Sequence, residues 1–553
     1  MRLFPAAVAL GLGLSLAASG ASATPEVPSL PALTTASVAT QVSVVAPLAV
    51  PTGSGGLLNS ATLAEYTAPL GLLTRQLDAV AGKDIAVAVD PMILASIRVL
   101  GTSAPETARD WLERFSGISN EVVPLPYANA DVTLATQSGQ AVTLEPLSFD
   151  FAVDAANFAA TGSPEPTASP DPMDVGADTV PMYPTTADLL SWDYAIEGFL
   201  HPRSDTVVAS DLPVFLNSGY STVLLSSANV SRETGAGSVT TIDGVRVLVS
   251  DSTASAAMDD ALGSTIDRDV SDAEFALSET VLSAGSAQTA GTASVLITID
   301  HSLELSAARL DAALASLTAS SSITMVPLSQ LAAGAASTAS INDVPQTEPR
   351  LADFARMASA AQAESSFFSI AADPEALVAE RRLALLDVAG TAPTVDFEDW
   401  VTAVNGFLTA SQDLRSAVTV VESSNFLLLA DNNTFLPVSV SNNLDQAVTV
   451  FITVRPRTAL LAVGDSRVEL HVEANSQAKG DIPVQSLSNG VVDVEISLTS
   501  GTGLVIGSTT VSEINVQAGW ETPIVLGLAA FVVAVFGVGV VRSITRRRKP
   551  VDD

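Results

Sequence analysis

Four aspartates in this chain stand at the ends of short apolar runs. Asp90 follows Ile85-Ala-Val-Ala-Val89, Asp131 follows Val122-Val-Pro-Leu-Pro-Tyr-Ala-Asn-Ala130, Asp251 follows Val245-Arg-Val-Leu-Val-Ser250, and Asp300 follows Ser294-Val-Leu-Ile-Thr-Ile299. His201 and His301 fall at equivalent places. If these runs are strands of one parallel sheet, their ends gather on one rim. Two carboxylates there could share the acid and nucleophile work of cleaving a glycosidic bond. A second reading needs no chemistry: Asp at a strand end accepts the unpaired N–H groups that open the next helix, or turns the chain.

Other chemistry finds less support. The chain has three histidines and no cysteine, with no HxxxH or HExxH spacing, so neither a thiolate nor a histidine metal site is expected. No GxSxG elbow and no GxGxxG loop occurs, and no cofactor is expected. His471 lies between Leu470 and Val472 in an alternating run, which puts it on the outward face with Glu469 and Glu473. Lys83 and Lys479 suit turns.

The elements that must position the rim come next. Over 38–345, short apolar runs alternate with helical periodicity, beginning with Gln41–Val50 and a helix-like stretch Leu57–Val80 that carries Leu70, Leu73 and Leu77. Tyr194–Leu200, Ser221–Ser226 and Ile323–Val326 are further strand candidates, and Asp243-Gly244 marks a hairpin. Seven or eight such strands over about 300 residues predict a β/α barrel of degenerate type; an open doubly wound sheet is the alternative. A Pro- and Asp-rich insertion, 160–184, interrupts the series. Residues 346–416 are expected to be helical. Phe397, Trp400, Val401, Val404, Phe407 and Leu408 form a packing stripe there, and Asp373-Pro374 is a helix start. From 417 to 518 the period becomes two, with Asn442-Asn443 and Asn489-Gly490 as turns, which predicts an immunoglobulin-like β-sandwich without a disulfide. The fold class is thus α/β plus all-β.

Both ends carry apolar segments. Pro523–Val541 is uncharged and is followed by Arg542, Arg546, Arg547, Arg548 and Lys549. As a helix it is roughly 28 Å long, close to the ~30 Å hydrocarbon layer, so 522–541 is predicted to cross a membrane with the basic tail 542–553 inside. Residues 1–23 read as a signal peptide, with Arg2, the apolar Leu3–Ala18 and the small-residue site Ala21-Ser-Ala23, and 24–37 as a linker. The expected location is therefore the cell membrane, with one span and the bulk extracytoplasmic. A formal net charge of -35, from a chain only 15% charged against about 25% usually, argues against nucleic acid as a partner.

The runs Val87-Ala-Val-Asp90-Pro91, Trp111-Leu112, Leu125-Pro-Tyr-Ala-Asn-Ala-Asp131 and Leu436-Pro-Val-Ser-Val-Ser-Asn442-Asn443-Leu-Asp-Gln-Ala-Val448 resemble a family of secreted, membrane-anchored actinobacterial proteins of unknown function. The resemblance covers roughly Val42 to the C-terminus. It implies a cell-envelope role, since the family is often encoded near the flippase of the lipid-linked peptidoglycan precursor. The order of parts is also similar to certain retaining glycoside hydrolases and polysaccharide deacetylases. The deacetylases' metal histidines find no match here, and Glu197 is a loose candidate for a glycosidase nucleophile. The resemblance thus favours a non-catalytic barrel that binds a cell-wall glycan or an envelope protein. The alternative is a glycosidase-like hydrolase using Asp90, Asp131, Asp251 or Asp300.

Overall fold

The computed structural model describes residues 39–51, 53–158, 183–264, 266–289, 292–301, 303, 305–390, 397–421, 426–429, 434–465, 467–517 and 521–546. The expected signal peptide, the linker, most of the 160–184 insertion and the end of the basic tail lie outside them.

The first half forms a mixed sheet of β1 (Thr40–Leu48), β2 (Ala86–Val89), β3 (Val122–Pro124), β4 (Phe199–Leu200), β5 (Thr222–Ser226), β6 (Val230–Arg232), β7 (Val239–Ile242), β8 (Val245–Ser250), β9 (Ser294–Thr298), β10 (Ile323–Met325) and β11 (Ser337–Ile341). Its parallel strands run in the order β3-β2-β1-β9-β8-β5-β4. β1 is the hub: β9 pairs along one edge, while β10 and β2 share the other. At the far end of the row, Ala195 N–H donates to Val122 O at 2.8 Å, so the segment entering β4 returns to β3. β7 and β8 are the antiparallel hairpin, turned by Asp243 and Gly244 with φ of 49° and 86° as a type I′ turn requires.

Both faces of this sheet are buried, which is why its strands read as unbroken apolar runs. Val45, Ala88, Val123, Phe199, Leu224, Leu248 and Leu296 share one core with Val326, Leu328 and Leu331. Residues of opposite parity, such as Val44, Val87 and Ile297, pack beneath the helices. Several expectations need correcting. Leu57–Val80 is two helices, Ser60–Tyr66 and Leu72–Val80, because Pro69 and Gly71 break the run. Leu70 falls in that break and is 81% exposed. Only the last two residues of Tyr194–Leu200 are strand. Lys479 lies within a strand, not a turn.

Three helices follow, Glu348–Phe367, Pro374–Ala389 and Phe397–Arg415. Asp373 caps the second through Ala376 N–H, with Pro374 in its first turn. Trp400, Val404 and Phe407 are buried in the same core as the outer face of the sheet. The stripe on this helix is therefore a packing face. Trp400 also donates to Asp353 at 3.1 Å and lies under the Arg350 guanidinium, 4.5 Å from the ring centre.

The remaining strands are β12 (Val418–Val420), β13 (Phe426–Leu429), β14 (Thr434–Asn442), β15 (Val448–Pro456), β16 (Leu461–Val463), β17 (Val468–Val472), β18 (Ser476–Ser486), β19 (Gly490–Thr499) and β20 (Val505–Gln517). They make two sheets, β12-β14-β18-β16 and β13-β20-β19-β15-β17. A single core draws Val438, Val440 and Ile482 from one and Ile452, Val472 and Ile496 from the other. Asn442 is fully buried and satisfies itself with backbone: its amide donates to Gln446, Val472 and Glu473 carbonyls and its oxygen accepts from Leu444. His471 is outward-facing beside Glu473, 3.5 Å away. The chain then forms the helix Glu521–Arg546, of which Ile524–Arg546 has a mean hydropathy of 2.8 and is long and apolar enough to cross a membrane. The helix runs past the expected end at Val541 because no breaker interrupts it at Arg542.

If Trp400 holds the helical segment against the sheet, Trp400→Ala should cost about 3–5 kcal/mol, the usual loss for emptying a buried aromatic site. Urea unfolding followed by tryptophan-independent circular dichroism measures this, and a loss under 1 kcal/mol would show the stripe to be peripheral.

Candidate functional site

Where β4, β5, β8 and β9 end, the chain encloses a cavity of about 590 Å³. Hydroxyls supply much of its wall: β5 ends in Ser226, β8 in Ser250 and β9 in Thr298, with Ser252 and Ser255 on the helix Ser252–Gly263. They are held in place by one another. Ser255 Oγ accepts from Thr298 N–H at 3.0 Å, and the Ser252 and Ser227 hydroxyls are 2.8 Å apart. His201 and His301 face each other edge to face, with ring centres 5.4 Å apart. His301 Nδ1 lies 3.2 Å from Asn129 Oδ1, whereas His201 Nδ1 is buried without a partner among the described residues. Arg203, Asp205, Asp259 and Asp300 are the carboxylates and guanidinium of the wall.

Of the four strand-end aspartates, Asp300 lines this cavity and the other three do not. Asp90, Asp131 and Asp251 each cap the helix that follows them, accepting from Met92, Thr133 and both Thr253 and Ala254 N–H groups respectively. Asp90 Oδ1 also accepts from Ala128 N–H at 2.9 Å. That bond matters because Ala128 and Asn129 have φ of 55° and 50°, a left-handed pair that costs non-glycine residues roughly 1–2 kcal/mol each. Tyr127 O–H donating to Gly56 O ties down the same turn. Asp90 thus reaches the cavity indirectly, by holding the turn that presents Asn129 to His301. Asp131 carries a structural tie: it accepts from Gln346 at 2.6 Å and from Thr133, and pairs with Arg350 at 3.5 Å. Glu197 is exposed and lies two residues before β4, away from the cavity wall.

Desolvation sets the charge states. Burial pushes Asp259 up to about 7, with the charges of Asp300 and Asp260 adding to it and the Asp300 N–H bond opposing. Asp90 is also raised to about 7 by burial, against the two N–H bonds it accepts. Burial drives His201 down to about 3, helped by His301, and His301 down to about 4, where Asp300 opposes and Arg203 assists. At neutral pH both imidazoles are therefore uncharged, each able to donate and accept one hydrogen bond. Among the described residues no group of three or more His, Cys, Asp or Glu is placed to hold a metal ion.

Sequence reading found the two histidines and Asp300 but missed Asp259, Asn129 and Arg203. Asp259 lies two helical turns beyond Asp251, so a search of strand ends alone passes over it. The hydroxyl rim was open to view, since three of the strands end in Ser or Thr.

Residues 22–552 match the profile of a family described as a family of unknown function, DUF6049. No curated protein matches significantly. Among solved structures, the native alpha-2-macroglobulin of Escherichia coli is similar at 13% identity over 18% of this chain and 7% of that one, with a TM-score of 0.16. WR4, an MSP family member of C. elegans, is similar at 10% identity over 18% of this chain and 98% of that one, TM-score 0.14. The E. coli chaperone DraB is similar at 8% identity over 18% and 55%, TM-score 0.14. Overlaps this small carry no argument about function.

Asp90 gives a pH test. Its folded value is raised, so the unfolded chain releases this proton first as pH rises, and Asp90's contribution is present below about pH 4 and lost as pH climbs through about 7. Asp90→Asn removes that loss. The thermal midpoint of Asp90→Asn, relative to the unsubstituted chain, should therefore improve by several degrees between pH 4 and pH 8. A difference that stays constant with pH would show that Asp90 is ionised in both states.

Proposed function

The chain belongs to the family of unknown function DUF6049, and we propose that it is a single-pass, membrane-anchored envelope protein whose extracytoplasmic strand-end cavity binds a glycan without turning it over. The anchor is the apolar helix Ile524–Arg546, and the basic run from Arg542 to Lys549 favours a cytoplasmic C-terminus. A cleaved signal in residues 1–23 would deliver the folded mass to the other side. The strand row that returns from β4 to β3 is read as a degenerate β/α barrel, and the two facing sheets as an immunoglobulin-like sandwich standing between it and the anchor. The resemblance to actinobacterial proteins encoded near the peptidoglycan-precursor flippase makes cell-wall glycan the favoured ligand.

One observation carries the binding reading: the cavity presents serine and threonine hydroxyls, an amide and two neutral imidazoles at strand ends. Such groups donate and accept in equal measure, as sugar hydroxyls do. Three of the four carboxylates that would serve catalysis are instead committed to backbone N–H groups. A second reading, a glycosidase-like hydrolase, draws on Asp259, raised to about 7 beside Asp300, as its proton donor.

Full-length chain in detergent micelles should bind soluble β-linked oligosaccharides by calorimetry. Asn129→Gly keeps the left-handed turn but removes the amide, and should weaken binding about tenfold, the worth of one well-placed hydrogen bond. Binding that ignores this change would move the ligand elsewhere. Turnover of the same oligosaccharides, abolished by Asp259→Asn, would favour the hydrolase instead.

A further inference from the structure

Next to the polar cavity lies a second, apolar pocket of about 180 Å³, and Pro126 belongs to the walls of both. Its lining includes Pro124, Leu190, Phe199, Tyr194 and Tyr220. It is small against the roughly 300–1,000 Å³ of a pocket that encloses a whole drug-sized ligand. Of its three tyrosines, two have their hydroxyls engaged: Tyr127 donates to Gly56 O and Tyr220 to Glu145. The Tyr194 hydroxyl is buried and has no partner among the described residues. A second orphan sits one residue along the chain from the lining. Asp90 is fully buried, its Oδ1 takes both backbone bonds, and its Oδ2 takes none. Pro91, the next residue, is part of the pocket wall, and Asp90's charge acts on the Tyr194 phenol.

A buried O–H donor without an acceptor, at the wall of an apolar pocket, is costly unless something fills the gap. A secondary amide fits the deficit. Its carbonyl accepts from Tyr194, and a methyl beyond the carbonyl meets the proline and leucine walls. Because the adjoining cavity suits a sugar, we propose that this pocket is an acyl subsite which takes the acetamido group of an N-acetylated amino sugar whose hydroxyls occupy the larger cavity. The inference rests on the glycan reading above and narrows its substrate class.

The test compares three trimers on the full-length chain in detergent micelles: N-acetylglucosamine trimer, glucosamine trimer and cellotriose. The acetylated trimer should bind about tenfold more tightly than cellotriose, with the strongest saturation-transfer NMR signal on its acetyl methyl. Tyr194→Phe should erase most of that preference and leave cellotriose binding unchanged. It keeps the ring and removes a hydroxyl that bonds to none of the described residues, so its thermal midpoint should match that of the unsubstituted chain. Equal binding of all three sugars, or equal weakening of all by Tyr194→Phe, overturns the acyl subsite and leaves glycan binding standing. Failure of every trimer to bind removes the glycan reading as well. Competition by N-acetylalanine methylamide as strong as by the acetylated trimer would assign the pocket to peptide and overturn the sugar proposal.

Discussion

The rim of the large sheet depends on a carboxyl with no counter-charge. Asp90 is fully buried, and its backbone bonds to Met92 and Ala128 are what make its position tolerable. One bond starts the helix after β2; the other stabilises a left-handed turn that no glycine eases. From that turn come Asn129 against His301 and Pro126 between the two pockets. The half-used carboxyl thus sets the shape of the site.

Desolvation acts on acids and bases in opposite senses, and at this rim the two nearly balance. Asp90 and Asp259 keep protons that the unfolded chain gives up, while His201 and His301 refuse protons that it takes. Between about pH 4 and 6.5 folding therefore moves protons from histidine to aspartate with little net uptake. The two imidazoles thus stand uncharged in a wall that also holds Arg203, Asp205 and Asp300.

A second tie integrates the helical segment with the rim. Asp131 caps its own helix and also meets Gln346 and Arg350, while Arg350 stacks on Trp400. Asp131 N–H donates to Ala389 O, so backbone and side chain of one residue grip two different helices. Asp387, from the same helix as Ala389, accepts N–H groups of Gly53 and Gly55 and closes the loop above β1. Residues that look like a catalytic set along the chain therefore serve in good part as fasteners between elements.

Local rules settled much of this protein from the sequence by itself. Apolar runs, caps and the Asp243-Gly244 turn marked the strands, and the apolar stretch before Arg542 marked the candidate span, because strand burial, helix capping and lipid solubility act over a few neighbouring residues. The capping role of Asp90, Asp131 and Asp251 was legible as an alternative for the same reason. What only the tertiary structure decided is which groups share a space. Asp259 meets Asp300 across 41 residues, His301 meets Asn129 across 172, and Asp131 meets Gln346 across 215. Those distances along the chain close only when β9 lies beside β1 and the helices wrap the sheet. No pattern of neighbours encodes a desolvated pocket that forms between segments so far apart.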